Sequence, residues 1–392
     1  TNSCTAAPDA GVDMVENYMD YTDDLCMNIF TNDQKMRMRI VLEASPRRAL
    51  LITSDACVPP NPSDAAVVNV LNPVGDNCVG SITPSVVLRN RGSNNLTSAT
   101  VNYKIDNGTT TTFAWTGSIT PGNSATVALP AFTTVLGAHT FKTWSTLPNG
   151  IVDPSPSLDT SSIQFMVSNG LEAPFIENFD GGEFPPDIKW VVNNANSDCY
   201  EWLGGAATSI TGVLDNVAAQ MPGFGNGTGG TENLITPIFV LPCNATAANI
   251  QFDVAYRRRN NTPANYERLY IEISENCGST WNAVPIYNLT GTALDVINTT
   301  LGSYYTPVGT TDWRTETINL LPFVTGTSKN VKFRIRAVAA NGNNIYIDNF
   351  RFNATTPGEI DVTLSSLNVL DGGYADLGST PAGTPLVATF TV

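Results

Sequence analysis

The stretch "SATVNYKIDNGTTTTFAWTG", residues 98–117, decides how this chain is read. Val101, Tyr103 and Ile105 alternate with polar residues, Asn107-Gly108 supplies a two-residue turn, and Phe113 and Trp115 alternate on the way back. Successive side chains of a strand point to opposite faces, so this pattern buries one face and wets the other. The residues predict an antiparallel hairpin. Further strand patterns follow at "ATVAL", "AHTFKTW" and "SIQFMV". Strands at this spacing predict an immunoglobulin-type β-sandwich over residues 65–168.

The same period of two continues downstream. Its strongest runs are "NIQFDVAY" (Ile250, Phe252, Val254, Tyr256), "RLYIEIS" (Leu269, Ile271, Ile273), "VKFRIRAV" (Val331, Phe333, Ile335) and "IYIDNFRF". Spread over 171–355, they suit a two-sheet jelly roll better than a second small sandwich. Residues 358–392, where Leu386, Ala388, Phe390 and Val392 alternate, are too few for a sandwich and read as the start of a further Ig-like β-module. The first 52 residues differ. "FTNDQKMRMRIVLEAS" predicts a helix, with Thr31 and Gln34 at capping-box spacing, Asp33 at the positive end, and Met36, Ile40, Val41 and Ala44 along one face. "CVPPNPSD" then breaks the chain, so residues 53–64 read as a linker. The fold class is mainly β and multi-domain: an Ig-like sandwich, a jelly roll and a short helical piece at the N-terminus.

The totals narrow the function. A chain of 392 residues, 42% apolar but only 14% charged, has material for two to four cores and a surface of neutral polar residues. Twenty basic against 35 acidic residues leave a net charge of −15, which argues against nucleic-acid partners. The run "RRR" at 257–259 reads as a solvated strand end. An acidic exported chain can instead offer carboxylates to calcium. No apolar run approaches the 18 residues or so that a membrane span needs. The single histidine, His139, lies in the strand pattern "GAHTFKTW" and reads as structural. A catalytic zinc site needs about three protein ligands, so no catalytic residue is expected in this chain.

Other motifs read as architecture. Trp115, Trp144, Trp190, Trp202, Trp281 and Trp313 are taken as core or turn anchors. The Gly-rich "MPGFGNGTGGTEN" lacks the Lys-Ser/Thr ending of a phosphate cradle. No two acids are fixed at the separation glycoside hydrolysis requires. Seven dispersed cysteines, none in a CxxC pair, suggest disulfides of an exported protein with one thiol left over. Cys57 and Cys78 read as a staple at the start of the first sandwich; among Cys199, Cys243 and Cys277 one pair can form, with Cys243–Cys277 preferred.

Three resemblances add to this. "NYMDYTDDLCMNIFT", residues 17–31, and the helix after it resemble the Met-turn and terminal helix of pappalysin- or cytophagalysin-type zinc metallopeptidases, a branch of the metzincins. The resemblance implies that Met19 corresponds to the floor methionine and Tyr21 to the tyrosine near the zinc-bound intermediate, and that Cys4 and Cys26 bridge across the turn. That family's zinc ligands lie on HExxHxxGxxH, which is absent here, so residues 1–52 would be a remnant and zinc is expected only in an upstream catalytic domain. "ITPSVVLRNRGSNNLTSATVNYKID" resembles CARDB-like sandwich modules of Bacteroidetes-type exported proteins, which implies adhesion or spacing. "IENFDGGEFPPDIKW", "LITPIFVL", "SENCGSTW" and "IYIDNFRF" resemble MAM-like jelly rolls. That likeness implies a calcium near the first and last strands, with Glu177, Asp180 and Asp348 as donors. The tail "ADLGSTPAGTPLVATFTV" resembles a hydin-like Ig-like module. Together these imply the non-catalytic C-terminal adhesion or targeting region of a secreted zinc metallopeptidase, located outside the cell or on its surface, with a protein or glycan surface ligand. The rival expectation is a surface adhesin or fibre subunit that self-assembles through strand edges of its incomplete C-terminal module.

Overall fold

The computed structural model describes residues 17–18, 30–44, 61–153, 156, 159–194, 200–214 and 216–357, together with the backbone of three short strands beyond. The chain divides into two compact units, Thr1–Pro62 and Ser63–Val392.

In the first unit, α1 spans Asn32–Ala44. Its start is fixed by the capping box read from the sequence: Gln34 N donates to Thr31 Oγ1 at 3.2 Å and Thr31 N donates to Gln34 Oε1 at 2.9 Å. Asn17 Nδ2 also donates to Gln34 Oε1, and Tyr18 stacks on Phe30 with ring centroids 5.0 Å apart. Met36, Ile40 and Val41, read as lining one face of the helix, are exposed. Met19, Tyr21, Cys4, Cys26 and Cys57 lie outside the described residues.

The second unit begins with ten strands: β1 (Ala65–Asn72), β2 (Gly75–Cys78), β3 (Ser81–Ile82), β4 (Ser85–Asn90), β5 (Leu96–Ile105), β6 (Thr111–Ile119), β7 (Ser124–Ala128), β8 (Phe132–Thr133), β9 (Gly137–Thr146) and β10 (Thr160–Ser168). One sheet runs β1-β4-β7 and the other β2-β10-β9-β5-β6. β5 and β6 form the expected hairpin, with Val101 opposite Phe113 and Ala99 opposite Trp115. The alternation works as read: Val101 and Tyr103 point inward with Leu88, Phe141 and Phe165 into one core. Full burial of such side chains stabilises by about 1.5–3 kcal/mol each, before chain entropy is counted.

His139, on β9, is buried, with Nδ1 2.8 Å from Asp106 Oδ2 and Nε2 2.9 Å from the Val135 carbonyl oxygen. Both ring nitrogens face acceptors, an arrangement that favours the doubly protonated ring. Burial opposes that charge, but the bonds to Asp106 and Val135 outweigh it and raise the pKa above the ordinary value. Its role is structural.

Twelve further strands form a second pair of antiparallel sheets: β11 (Phe175–Glu177), β12 (Val191–Asn194), β13 (Leu203–Ala207), β14 (Asn216–Met221), β15 (Thr228–Ile235), β16 (Phe239–Leu241), β17 (Ala247–Tyr256), β18 (Arg268–Ser274), β19 (Tyr287–Thr290), β20 (Arg314–Asn319), β21 (Lys329–Ala340) and β22 (Ile345–Thr355). One sheet runs β13-β14-β22-β17-β20 with β11 beside β22, and the other β12-β15-β21-β18-β19 with β16 beside β21. Ile250, Phe252, Ile271, Phe333, Ile335 and Phe350 meet in the core between them. Beyond these, β23 (Val362–Leu364) pairs with β24 (Leu367–Val369) and β25 (Phe390–Thr391).

The disulfide framework differs from expectation. Cys78 is bonded to Cys277, 199 residues away, so neither Cys57–Cys78 nor Cys243–Cys277 forms; Cys243 is free and exposed. The physical reason is tertiary: β2 lies against the second pair of sheets, which brings Cys78 to the "SENCGSTW" turn and away from its sequence neighbours. Cys199 lies outside the described residues.

Candidate binding site at the joint of the two sandwiches

The joint is built on the short polar run Gly75-Asp76-Asn77-Cys78. Gly75 has φ +59°, and a Cβ there would sit 2.3 Å from Val191 Cγ2 and 2.9 Å from the Lys189 carbonyl oxygen. Only glycine permits that backbone and that approach. Asp76 is fully buried: its Oδ2 accepts from Ile238 N at 3.1 Å and from Ser168 Oγ at 2.9 Å, and Lys332 Nζ donates to its carbonyl oxygen. Burial pushes the Asp76 carboxyl up, and pushes Lys332 down to about 8 against the pull of Asp76. From the other side, Leu171 N donates to the Ile238 carbonyl and Val240 N to the Leu171 carbonyl, which seats the connecting segment on β16.

The turn that presents Cys277 is locked by its own polar side chains. Ser274 Oγ accepts from Gly278 N at 2.8 Å, Asn276 Oδ1 accepts from Thr280 N at 2.9 Å, and Cys277 itself has φ +63°. This is the architectural role read from "SENCGSTW".

Above the joint stands a row of side chains that the sequence reading passed over. Val331, Phe333 and Ile335 of β21 point inward, so Lys332, Arg334 and Arg336 point outward, opposite Ser274, Glu272 and Tyr270 of β18. Arg334 Nε donates to Glu272 Oε2 at 2.6 Å and Arg336 donates to Glu272 Oε1 at 2.9 Å. The Arg334 guanidinium lies 4.6 Å over the Trp281 ring, and that of Arg336 lies 4.8 Å over Tyr270, which also takes Arg268 at 5.6 Å. Three arginines, Arg268, Arg334 and Arg336, thus share this face with one carboxylate, Glu272, in a chain that is acidic overall, while Lys332 is buried against the Asp76 carbonyl. The signal was present in "VKFRIRAV": its polar alternates are all cations. Trp281, read as a core or turn anchor, lies beneath an arginine.

Two clefts flank the joint. One, of ≈ 720 Å³, has Trp281, Lys332 and Arg334 facing Asn77, Ser81 and Thr83 of the first sandwich. The other, of ≈ 920 Å³, carries the acids Glu183, Asp187 and Glu201. The two hollows share Leu71, Val74, Val191 and Asn193, with the cations in one and the acids in the other.

The remaining candidates fall elsewhere. The "RRR" run is structural and not a solvated strand end throughout: Arg258 is buried on Asp295 at 2.7 Å, Arg257 donates to the carbonyls of Thr299 and Thr300, and Arg259 lies 4.7 Å over Phe224. Glu177 and Asp348 lie on neighbouring strands, β11 and β22, with Asp180 just beyond β11. Glu177 Oε1 accepts from Phe179 N, Asp180 accepts from Val217 N and Asn178 Nδ2, and Asp348 accepts from Asn216 Nδ2 and Asn349 N. Burial first, with the Asp180 and Asp253 charges adding, raises Asp348 to about 6. These oxygens already serve as acceptors, and the three residues are not among the acid groups whose oxygens converge within 4.8 Å of one another.

No protein-family model matches the chain, and no curated protein matches it. Several solved structures are similar in part. The K1 cleaved adhesin domain of Lys-gingipain from Porphyromonas gingivalis matches at 22% identity over 47% of this chain and 99% of that one, with a TM-score of 0.32. The CARDB domain of a Pyrococcus furiosus protein, solved with di-metal ions, matches at 21% identity over 27% of this chain and 93% of that one, with a TM-score of 0.23. A carbohydrate-binding module of Caldicellulosiruptor saccharolyticus in complex with mannohexaose matches at 12% identity over 47% of this chain and 98% of that one, with a TM-score of 0.31. These neighbours are β-sandwich adhesion and binding domains, and no site is carried over from them. No described helix is long and apolar enough to cross a membrane.

Proposed function

We propose that this chain binds and does not cut: it is a non-catalytic adhesion or targeting region that holds an acidic saccharide chain in the basic cleft at the joint. One observation carries the reading. Arg334 and Arg336, with Trp281 and Tyr270 beneath their guanidiniums, lie side by side on β21, and Arg334 lines a cleft of ≈ 720 Å³ in a protein whose net charge is −15. Guanidinium forks match carboxylate and sulfate oxygens two at a time, and stacking on aromatic rings holds them in place before the ligand arrives. A disulfide-locked joint leaves little conformational freedom to be lost on binding. The Met-turn resemblance of residues 17–31 supports a secreted zinc metallopeptidase as the parent, its zinc held upstream of this chain. Calcium near Glu177, Asp180 and Asp348 remains a proposal resting on the jelly-roll resemblance alone.

A glycan array is the broad test. Binding is expected to uronic-acid- or sulfate-bearing oligosaccharides over neutral ones of equal length, with no zinc-dependent hydrolysis of casein by the same preparation. Binding confined to neutral glycans, or none at all, would overturn the saccharide reading; casein turnover would overturn the non-catalytic one.

A further inference from the structure

At the far end of the first sandwich, three acids from distant parts of the chain converge. Asp64 immediately precedes β1, Asp159 immediately precedes β10, and Asp153 lies on the segment between β9 and β10. One carboxylate oxygen from each falls within 4.8 Å of the others, and all three residues are buried, with Asp159 at 0% exposure. Among the described residues no other group of three metal-ligating side chains converges in this way. Neither oxygen of the Asp159 carboxylate has a hydrogen-bond partner, although both are sealed from solvent. A buried, unpartnered carboxylate aimed at two others is costly unless a positive charge compensates it.

The charge balance specifies that compensation. Arg91 is the cation whose charge reaches Asp159; its backbone N–H, like that of Gly92, donates to the Asp64 carbonyl. Burial first, with the Asp153 and Asp64 charges adding, pushes Asp159 up to about 8 when no cation is present; with all three carboxylates ionised, one guanidinium leaves a deficit of two positive charges, which a divalent ion supplies. The donors are all hard oxygens, and the only histidine of the chain is engaged with Asp106 and Val135. Hard anionic oxygens without nitrogen or sulfur select calcium over transition metals, with backbone carbonyls and water completing a shell of six to eight.

We infer that Asp64, Asp153 and Asp159 form a calcium site that clamps the starts of β1 and β10 to the segment after β9. Val67 N already donates to the Asp159 carbonyl at 3.2 Å, so the ion would tie together elements that meet there. The site lies at one end of β10, whereas Ser168, which binds Asp76 at the joint, lies at the other. Nine residues of strand separate the two by roughly 30 Å, so the clamp and the saccharide cleft stand or fall independently.

The test uses the whole chain, stripped with chelator and returned to calcium or to magnesium, followed by thermal melting and by hydrogen exchange. Calcium at about a hundred times its Kd is expected to raise the melting temperature of the wild type by about 5–10 °C and to slow exchange in peptides covering residues 61–70, 88–93 and 148–160. The protection of those three peptides is expected to vanish in Asp159→Asn and Asp153→Asn and to persist in a variant of an exposed acid outside both acid groups, Glu172→Gln. Should an Asp159 variant fail to fold, the exchange pattern of the wild type decides alone. Absence of a calcium effect in those three peptides, or an undiminished effect in Asp159→Asn, overturns the inference.

Discussion

Replacing Cys78 and Cys277 by alanine, in a chain whose exposed Cys243 is made serine to prevent exchange, is expected to cost about 2–5 kcal/mol of stability. The bond closes a loop over a sequence separation of 199 residues, and loop-closure entropy for such a length approaches about 5 kcal/mol in the chain-entropy account. Measured gains usually fall short of that, because unfolded chains keep some structure. The form of the transition matters as much as the midpoint. The joint also holds the bonds of Ile238 N and Lys332 Nζ to Asp76, which are polar contacts. Urea unfolding of the variant is therefore expected to separate into two steps, one for each core, where the oxidised chain unfolds in one. An unchanged midpoint and a single step would mean that the non-covalent contacts suffice.

Phe239→Ala is expected to cost about 3–5 kcal/mol. Phe239 is fully buried, and its ring lies 4.8 Å from that of Phe352, 5.1 Å from Phe175, and 6.0 Å from both Phe333 and Phe350. Four aromatic rings from three other strands cannot collapse into the space it leaves without losing their own edge and stacking contacts. Phe239→Leu retains much of the volume and is expected to cost markedly less in the same urea or thermal unfolding. A loss below about 1 kcal/mol for the alanine variant would show that this part of the core relaxes freely.

Both predictions rest on features of unequal legibility. Strand alternation was readable because burial imposes a period of two over many residues: Val101 and Tyr103, or Phe333 and Ile335, have no other reason to alternate. The capping box at Thr31 and Gln34 was readable because it is local. The Cys78–Cys277 bond was not. Loop length and linear order favour near neighbours, and the four-residue β2 has no apolar period to show that it abuts a second sandwich. Glu177, Asp180 and Asp348 were picked by their places in a family pattern, and each turns out to have hydrogen-bonding work of its own. The Asp64, Asp153 and Asp159 cluster stayed hidden because Asp64 was assigned to a linker; in the fold, Ser63 and Asp64 are buried. The basic face was half legible: its cations were in view as the polar alternates of a strand read only for its core.

The central proposal is that this face takes an anionic saccharide. Titration calorimetry of an oligogalacturonate into the wild type and into Arg334→Ala/Arg336→Ala tests this most directly. Saturable binding by the wild type that weakens as salt is raised is expected, with a loss of at least about tenfold in the variant, since a charged hydrogen bond contributes about 1.5–3 kcal/mol. Equal affinity in the two proteins, or no binding by the wild type, would contradict it.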